Sequence, residues 1–167
     1  MSKKGYLTAA EYRALRQLLG FTQEEAAKFH KVQNVRTIKR WEKGDSWVSE
    51  MACDKILALF EKVNWTINQA VFEAEKLPPS DTEIVLILYP DSCYEKFAVG
   101  MKDLPNNVHQ AMISRLYARL KEKGYAVGIV EFCPQDYFIY LASHNLKDSQ
   151  DARSQWACNY RERLLIN

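Results

Sequence analysis

The chain has 167 residues, of which 47% are hydrophobic and 26% charged, so it is long and apolar enough to fold around a core. Its apolar stretches fall short of the ~18 residues that a membrane-spanning helix needs, and its first residues lack the apolar segment of a secretory signal. The net charge of +2 conceals an asymmetry, because residues 1–47 hold ten Lys and Arg against five Asp and Glu. We therefore expect a cytoplasmic protein with no membrane partner, whose basic first segment suits a polyanion.

Three short helices are predicted at the start of the chain. Residues 8–19, "TAAEYRALRQLL", place apolar side chains at helical spacing, and Thr8 begins a capping-box pattern. Thr22 begins a second capping pattern before the next helix. Asn34 can cap a third helix, "VRTIKRWEK", which Gly44 ends.

A long helix is predicted over residues 48–77, with "PPS" at 78–80 as its end. Apolar residues recur there at alternating steps of three and four: Cys53, Ile56, Phe60, Val63, Ile67, Ala70, Ala74 and Leu77. Such a heptad pattern is typical of a helix that packs along a seam. The seam is a candidate dimer contact, and the alternative is packing of the helix against its own C-terminal domain.

The rest of the chain predicts a mixture of strands and helices. In chain order these are a buried strand, a short helix, an amphipathic helix, two strands joined by a tight turn, and a final helix: 83–90, 94–101, 105–124, 125–134, 136–144 and 148–165. The predicted fold class is α+β, with an all-α helix-turn-helix bundle at 1–47, a long connecting helix at 48–79 and a small mixed domain at 80–167.

The sequence offers no catalytic or metal-binding motif. It contains no GxSxG, P-loop, GxGxxG or HExxH run. The cysteines (Cys53, Cys93, Cys133 and Cys158) lie far apart, without CxxC or Cys/His spacing, which argues against a zinc site and a disulfide framework. We expect a protein that is not an enzyme and uses no cofactor and no metal.

Residues 21–44 combine features that a DNA-binding helix-turn-helix needs. Ile38 and Trp41 lie three residues apart, so one face of the third helix is apolar and can dock on the first two helices. The other faces carry the basic residues Arg36, Lys39, Arg40 and Lys43. The second helix opens at Thr22–Gln23, where free backbone N–H groups favour a phosphate.

These residues carry a resemblance. "LGFTQEEAAKF" followed by "TIKRWEKG" resembles the phage-repressor-like, or XRE-like, helix-turn-helix family over about residues 8–60. The turn in "KVQNVR" is one residue longer than is usual in that family. The sequence therefore leaves open whether Asn34 or Val35 is the first side chain to enter a groove.

By position, the resemblance implies a role for each residue of the motif. It implies DNA phosphate contacts from Gln23, Asn34 and Lys43. It implies base contacts in the major groove from Val35, Arg36 and Arg40, with Lys39 near bases or phosphates. It also implies a structural ion pair between the first and third helices, formed by Arg16 and Glu42.

The whole layout, with a helix-turn-helix, a long helix and a small α/β tail, also resembles repressors encoded beside anti-CRISPR genes. We therefore expect a sequence-specific DNA-binding transcriptional regulator, a repressor that acts on double-stranded DNA as a homodimer. One alternative is a protein-interaction or antitoxin-like module that uses the C-terminal domain. Another is RNA binding through the basic third helix. The sequence identifies no small-molecule effector.

Overall fold

The computed structural model describes residues 6–77, 83–98 and 104–166. Within these residues the chain forms eight helices and a two-stranded sheet, which confirms the α+β class. The elements in chain order are α1 (Ala9–Leu18), α2 (Gln23–His30), α3 (Val35–Lys43), α4 (Glu50–Ala74), β1 (Ile84–Leu88), α5 (Asp91–Phe97), α6 (Asn106–Glu122), β2 (Val127–Glu131), α7 (Pro134–His144) and α8 (Gln150–Ile166). The chain divides into two compact units after Asn68, inside α4.

The first three helices begin at the capping residues that the sequence identifies. The Thr8 hydroxyl accepts a hydrogen bond from the Glu11 backbone N–H at 3.2 Å, and the Glu11 carboxylate accepts one from the Thr8 N–H at 2.7 Å. Thr22 and Glu25 form the same reciprocal pair at the start of α2. These bonds satisfy N–H groups that the first turn of a helix leaves without a partner.

The core of the first unit forms where α3 packs against both α1 and α2. Ala26 and Ala27 of α2 are buried, and their small side chains let the helices approach closely. From α3, Ile38 and Trp41 are buried against them. The Tyr12 ring of α1 meets the Trp41 ring edge-on, with 5.5 Å between centroids. This packing leaves the opposite side of α3 facing outward.

The long helix α4 buries most of the predicted heptad seam. Its buried members are Cys53, Ile56, Val63, Ile67 and Ala74, whereas Leu77 beyond the helix is exposed. This burial agrees with a helix that packs along a seam, and the dimer contact considered for the seam stays a prediction. The predicted end of the helix at 78–80 lies outside the described residues.

The start of α4 is held to the first unit by two polar contacts. The Tyr6 hydroxyl donates to the Asp54 carboxylate at 2.7 Å. The Lys55 ammonium lies 3.4 Å from the Phe29 carbonyl oxygen. These contacts link the beginning of α4 to the segment before α1 and to α2.

In the second unit the two strands pair in parallel, with Ile84 opposite Val127 at one end of the register. The connection runs through α5 and α6, and α6 and α8 both pack against both strands. At Gly128 the Arg161 side chain of α8 lies so close that a Cβ would come within 1.9 Å of its Nε atom. Glycine at this position lets Arg161 cross the strand and reach Glu83, 2.6 Å away.

The sequence-based prediction of a β-hairpin is wrong. Residues 136–144 form part of α7, and β2 pairs with β1 instead. Proline at the first helical position suits α7, because the ring presets the helical φ and the missing N–H is not needed there. Tyr137 and Leu141, four residues apart, are both buried on one side of the helix. This helical spacing outweighs the strand propensity of the aromatic residues.

The remaining predicted elements agree with the structure. The strand at 83–90 is β1, the helix at 105–124 is α6 and the helix at 148–165 is α8. The short helix predicted at 94–101 corresponds to α5, and its last residues, 99–101, lie outside the described part of the chain. None of the helices in the described ranges has the length and apolar character that crossing a membrane requires.

Candidate nucleic-acid interface

Four basic side chains share the outward face of α3 and are exposed: Arg36, Lys39, Arg40 and Lys43. They lie within about 100° of one another around the helix, at 100° per residue. On the opposite side, Ile38 has no exposed surface and Trp41 is 6% exposed. The apolar face of α3 is therefore packed into the unit, and its cationic face is exposed. A cationic face of this kind attracts phosphate.

The turn between α2 and α3 shows where the third helix begins. The helix α2 ends at His30, and its C-cap Lys31 adopts a left-handed conformation with φ of 56°. The side-chain oxygen of Asn34 accepts a hydrogen bond from the Arg36 N–H at 2.8 Å, so Asn34 is the N-cap of α3. Val35, half-buried, is the first residue of the helix.

Gln23 stands at the first position of α2, beside the free N–H groups of that helix end. Its side-chain amide donates a hydrogen bond to the Glu42 carboxylate at 2.7 Å. That bond holds the amide against α3 and leaves its second N–H for another acceptor. The position of Gln23 is therefore set by the third helix as well as by the second.

Arg16 and Glu42 form an ion pair in the interior of the first unit, with side chains 11% and 6% exposed. The Arg16 Nε and the Glu42 carboxylate are in direct contact, and the second guanidinium nitrogen lies 3.3 Å from the other carboxylate oxygen. Arg16 also donates to the Phe21 carbonyl oxygen. Since buried charges are tolerated only when paired, this bidentate contact fixes α3 relative to α1 and the start of α2.

His30 is a buried residue that the sequence analysis did not single out. It is 4% exposed, and neither ring nitrogen has a hydrogen-bond partner among the described residues. Its ring packs against Tyr12, Phe29 and Trp41, with centroids 4.9 to 5.8 Å apart. Burial, helped by the nearby Lys55 charge, lowers the pKa of His30 to about 4. The imidazole is therefore neutral at physiological pH.

An open groove of about 910 Å³ adjoins the basic face, lined in part by Arg40 and Trp47. The Trp47 ring is 59% exposed. Sequence reasoning did not select this residue. The available signal was an aromatic side chain three residues after the helix stop at Gly44, in the polar run "KGDSW". An aromatic ring beside a basic residue adds a surface on which a base or sugar can pack.

The second unit has a cavity of its own, of about 550 Å³, lined in part by His109 and Arg153. Arg153 is held by both Asp148 oxygens at 2.8 Å and by the Phe97 carbonyl oxygen at 2.6 Å. Hydrogen bonds from Arg153 lower the pKa of Asp148, and burial lowers the pKa of His109 to about 4. The charges beside this cavity are thus already paired, and its histidine is neutral.

Metal ligation finds no support in the described ranges, which contain no group of three or more His, Cys, Asp or Glu side chains placed to hold an ion. The four cysteines, all within those ranges, are free thiols. Cys53 and Cys93 are buried, and burial raises the pKa of the Cys93 thiol.

A protein-family comparison covers most of the chain. The model of the Aca2/YdiL-like family matches residues 7–124, and no curated protein matches the chain. This family consists of regulators associated with anti-CRISPR operons, which agrees with the resemblance of the whole layout. The XRE-like resemblance of the first third stays a prediction. Because the match spans more than half of its length, the chain belongs to the Aca2/YdiL-like family.

Proposed function

We propose that this chain is a sequence-specific DNA-binding transcriptional regulator, a repressor that acts as a homodimer and catalyses no reaction. The main observation behind the proposal is the exposed face of α3, which carries four basic side chains. The buried Ile38 and Trp41 and the Arg16–Glu42 pair hold the opposite side of this helix in the first unit. Membership of a family of regulators supports it independently.

In this proposal one set of side chains positions the protein on the DNA backbone. Gln23 offers its remaining amide N–H at the start of α2, where the helix dipole also favours a phosphate. Asn34 lies at the start of α3, and Lys43 lies exposed in its last turn. Contacts of this kind fix register and orientation and carry no sequence information themselves.

A second set reads the bases. Arg36 and Arg40 lie one helical turn apart on the exposed face, so both guanidinium groups can reach base edges in one major groove. Val35, at the first helical position, suits the methyl group of thymine. Lys39 lies between Arg36 and Arg40 in the sequence and can reach either a base or a phosphate. This division predicts different behaviour for the corresponding variants.

Selection of bound sequences from random duplex DNA tests the function. We expect a palindromic consensus with half-sites ~10 bp apart, the spacing of successive major grooves on one face of the duplex. On that duplex, Arg36→Ala should cost ~1–3 kcal/mol and relax the preference at one base pair. Arg119→Ala, which removes an exposed arginine from α6, is the matched control and should leave affinity unchanged.

Two results would count against this proposal. Failure to enrich any duplex sequence would rule out sequence-specific DNA binding. Enrichment of single-stranded RNA in a parallel selection would favour an RNA-binding protein. An equal loss for Arg36→Ala on all duplexes would place Arg36 on the phosphates instead of the bases.

One observation favours the second candidate, a protein-interaction or antitoxin-like module. The end of α8 exposes three consecutive apolar residues, Leu164, Leu165 and Ile166, at 55%, 69% and 84%. An apolar cluster of this kind is a common feature of protein-binding surfaces. A pull-down with the full chain that returns one stoichiometric protein, together with a selection that yields no DNA site, would favour this candidate.

A further inference from the structure

The cavity of the second unit lies along the edge of β1 that does not pair with β2. Three consecutive residues of the strand line it: Val85, Leu86 and Ile87. Successive side chains of a strand point to opposite faces of a sheet, so a cavity that meets all three lies at the edge of the strand. Its sides come from α6, through His109 and Ile113, and from α8, through Arg153 and Ser154. We call this space the edge cavity.

The backbone of β1 turns unpaired groups towards the edge cavity. The Ile84 N–H donates to the Ala126 carbonyl oxygen at 2.9 Å, which shows that Ile84 directs its backbone groups towards β2. Because alternate residues of a strand direct these groups to opposite edges, those of Val85 and Ile87 point away from β2. Among the described residues, none forms a hydrogen bond with these outward groups. The edge therefore offers N–H donors and C=O acceptors to a ligand.

Two of the outward groups form a donor–acceptor pair. The Val85 C=O and the Ile87 N–H are the two groups to which one residue of a further parallel strand would bond. A planar heterocycle that carries an amino group beside a ring nitrogen presents the complementary donor and acceptor along one side of the ring. In an aminopurine, the amino group would donate to the Val85 oxygen and the adjacent ring nitrogen would accept from the Ile87 N–H.

The other walls of the edge cavity favour a neutral and largely apolar ligand. Arg153 is bonded to both Asp148 carboxylate oxygens at 2.8 Å, so these two charges compensate each other. Phe97 and Ile113 add apolar surface. The volume of about 550 Å³ lies within the ~300–1,000 Å³ that is usual for small-molecule sites.

His109 adds a polar group that the fold leaves without a partner. It is 4% exposed, and its Nδ1 atom has no hydrogen-bond partner among the described residues. The Tyr89 and Tyr94 rings hold the imidazole in place, with centroids 5.9 and 5.3 Å from its own. Since buried polar groups are as a rule hydrogen-bonded, an unpaired one at the wall of a cavity indicates a further partner. The additional ring nitrogens of a purine can serve as that partner.

We propose that the edge cavity binds a neutral, planar nitrogen heterocycle of the aminopurine class, held by hydrogen bonds to the Val85 C=O and the Ile87 N–H. The site lies wholly within the second unit, so it is independent of the DNA contacts proposed for the first unit. It adds a ligand-binding role that the proposed function does not include.

Calorimetric titration of the full chain with adenine tests the choice of ligand. We expect one molecule to bind per chain. Purine keeps the ring and lacks the amino group, so it should bind about tenfold more weakly or worse, because the bond to Val85 is lost. Adenosine monophosphate should bind no more tightly than adenine, since the Arg153 charge is already compensated. Absence of adenine binding, equal binding of purine or tighter binding of the monophosphate would each overturn the proposal.

Ser154→Phe tests the location of the site. This exposed serine lines the edge cavity, and its hydroxyl donates to the Gln150 carbonyl oxygen of its own helix at 3.1 Å. The larger side chain should weaken adenine binding by about tenfold or more, because it occupies space that the ring needs. The matched control is Ser114→Phe, at an exposed serine of α6 whose hydroxyl donates to the Gln110 carbonyl oxygen at 2.9 Å. The control should bind adenine as wild type does, and equal affinities for the two variants would place adenine elsewhere.

Amide hydrogen exchange, measured by NMR on the wild-type chain, tests the hydrogen bond itself. Saturating adenine should slow exchange of the Ile87 N–H by about tenfold or more, because that group gains an acceptor. The Leu86 N–H points towards β2 and should exchange at the same rate with and without adenine. Adenine that binds without slowing exchange at Ile87 would overturn the proposal.

A short extended peptide of alternating valine and threonine tests the other occupant that a strand edge can accept. We expect it to leave the exchange of the Val85 and Ile87 amides unchanged. If the peptide slows exchange at both residues and adenine slows it at neither, the edge binds a peptide strand and the proposal fails.

Discussion

Three side chains link the candidate reading helix to the rest of the first unit. Glu42 accepts from both Arg16 and Gln23, so one carboxylate of α3 binds a residue from each of the two other helices. The resemblance implied the Arg16–Glu42 pair and assigned Gln23 to phosphate separately. The hydrogen bond between Gln23 and Glu42 joins these roles, because the same carboxylate that docks α3 also orients the Gln23 amide. No spacing in the sequence reports such a bond.

His30 makes the stability of the first unit depend on pH. Its folded-state pKa of about 4 lies below the ordinary value of 6.5, so protonation favours unfolding. The stabilisation is fully present above pH 6.5 and is lost as the pH falls from 6.5 towards 4. By pH 4.5 the loss from this residue should be about 2–3 kcal/mol.

Urea unfolding of His30→Leu and wild type at pH 7.5 and 4.5 measures this effect. The variant should lose about 2–3 kcal/mol less than wild type between the two pH values, because no proton binds at that position. His109 in the other unit has a similarly lowered pKa, so only the difference between variants isolates His30. His144→Leu, an exposed position, is the control. Identical pH dependence in all three proteins would show that His30 does not titrate in this way.

Among the elements, the sequence predicts best those helix ends that depend on neighbouring residues alone. The capping residues Thr8, Thr22 and Asn34 fixed three helix starts, because each acts on the backbone within a few residues of itself. The hairpin prediction failed since "DYFIYLASH" has a composition typical of strands, and its helical state depends on a distant partner. That partner is α8, where the Trp156 indole N–H donates to Asp136 of α7 at 2.8 Å.

The same reasoning applies to α4. The heptad pattern predicted the helix and its buried seam, but could not say which partner covers the seam. The roles of the α3 residues were predicted from the family resemblance. The groove beside Trp47 could not be predicted from the sequence, because residues distant along the chain line it.

The turn between α2 and α3 offers a prediction about elements. Lys31 holds a left-handed conformation with φ of 56°, which costs an L-residue with a side chain ~1 kcal/mol. Lys31→Gly should therefore be about 1 kcal/mol more stable than Lys31→Ala, since both remove the charge and only glycine relieves the strain. The free energy of unfolding in urea measures the difference. Equal stability of the two variants would mean that the turn adopts another conformation in solution.

At the scale of the whole molecule, the two units contribute different properties. The first unit concentrates the positive charge, with ten Lys and Arg against five Asp and Glu in residues 1–47. The second unit buries an aromatic cluster around Phe132, Tyr137 and Trp156 and holds ion pairs of its own, such as Arg153 with Asp148. The proposed function assigns DNA contact to the first unit. In that proposal a homodimer brings two such units to one duplex.

The salt dependence of DNA affinity reports how many copies of the first unit contact one duplex. Each phosphate contact made by a lysine contributes about −0.9 to the slope of log affinity against log salt concentration. Lys43→Ala should therefore reduce the magnitude of the slope by about 2 on a palindromic duplex, where two copies bind, and by about 1 on a half-site that binds one copy. Arg119→Ala, outside the basic face, should leave both slopes unchanged. Equal reductions of about 1 on the two duplexes would mean that Lys43 contacts phosphate in only one copy, and an unchanged slope would mean that Lys43 makes no phosphate contact.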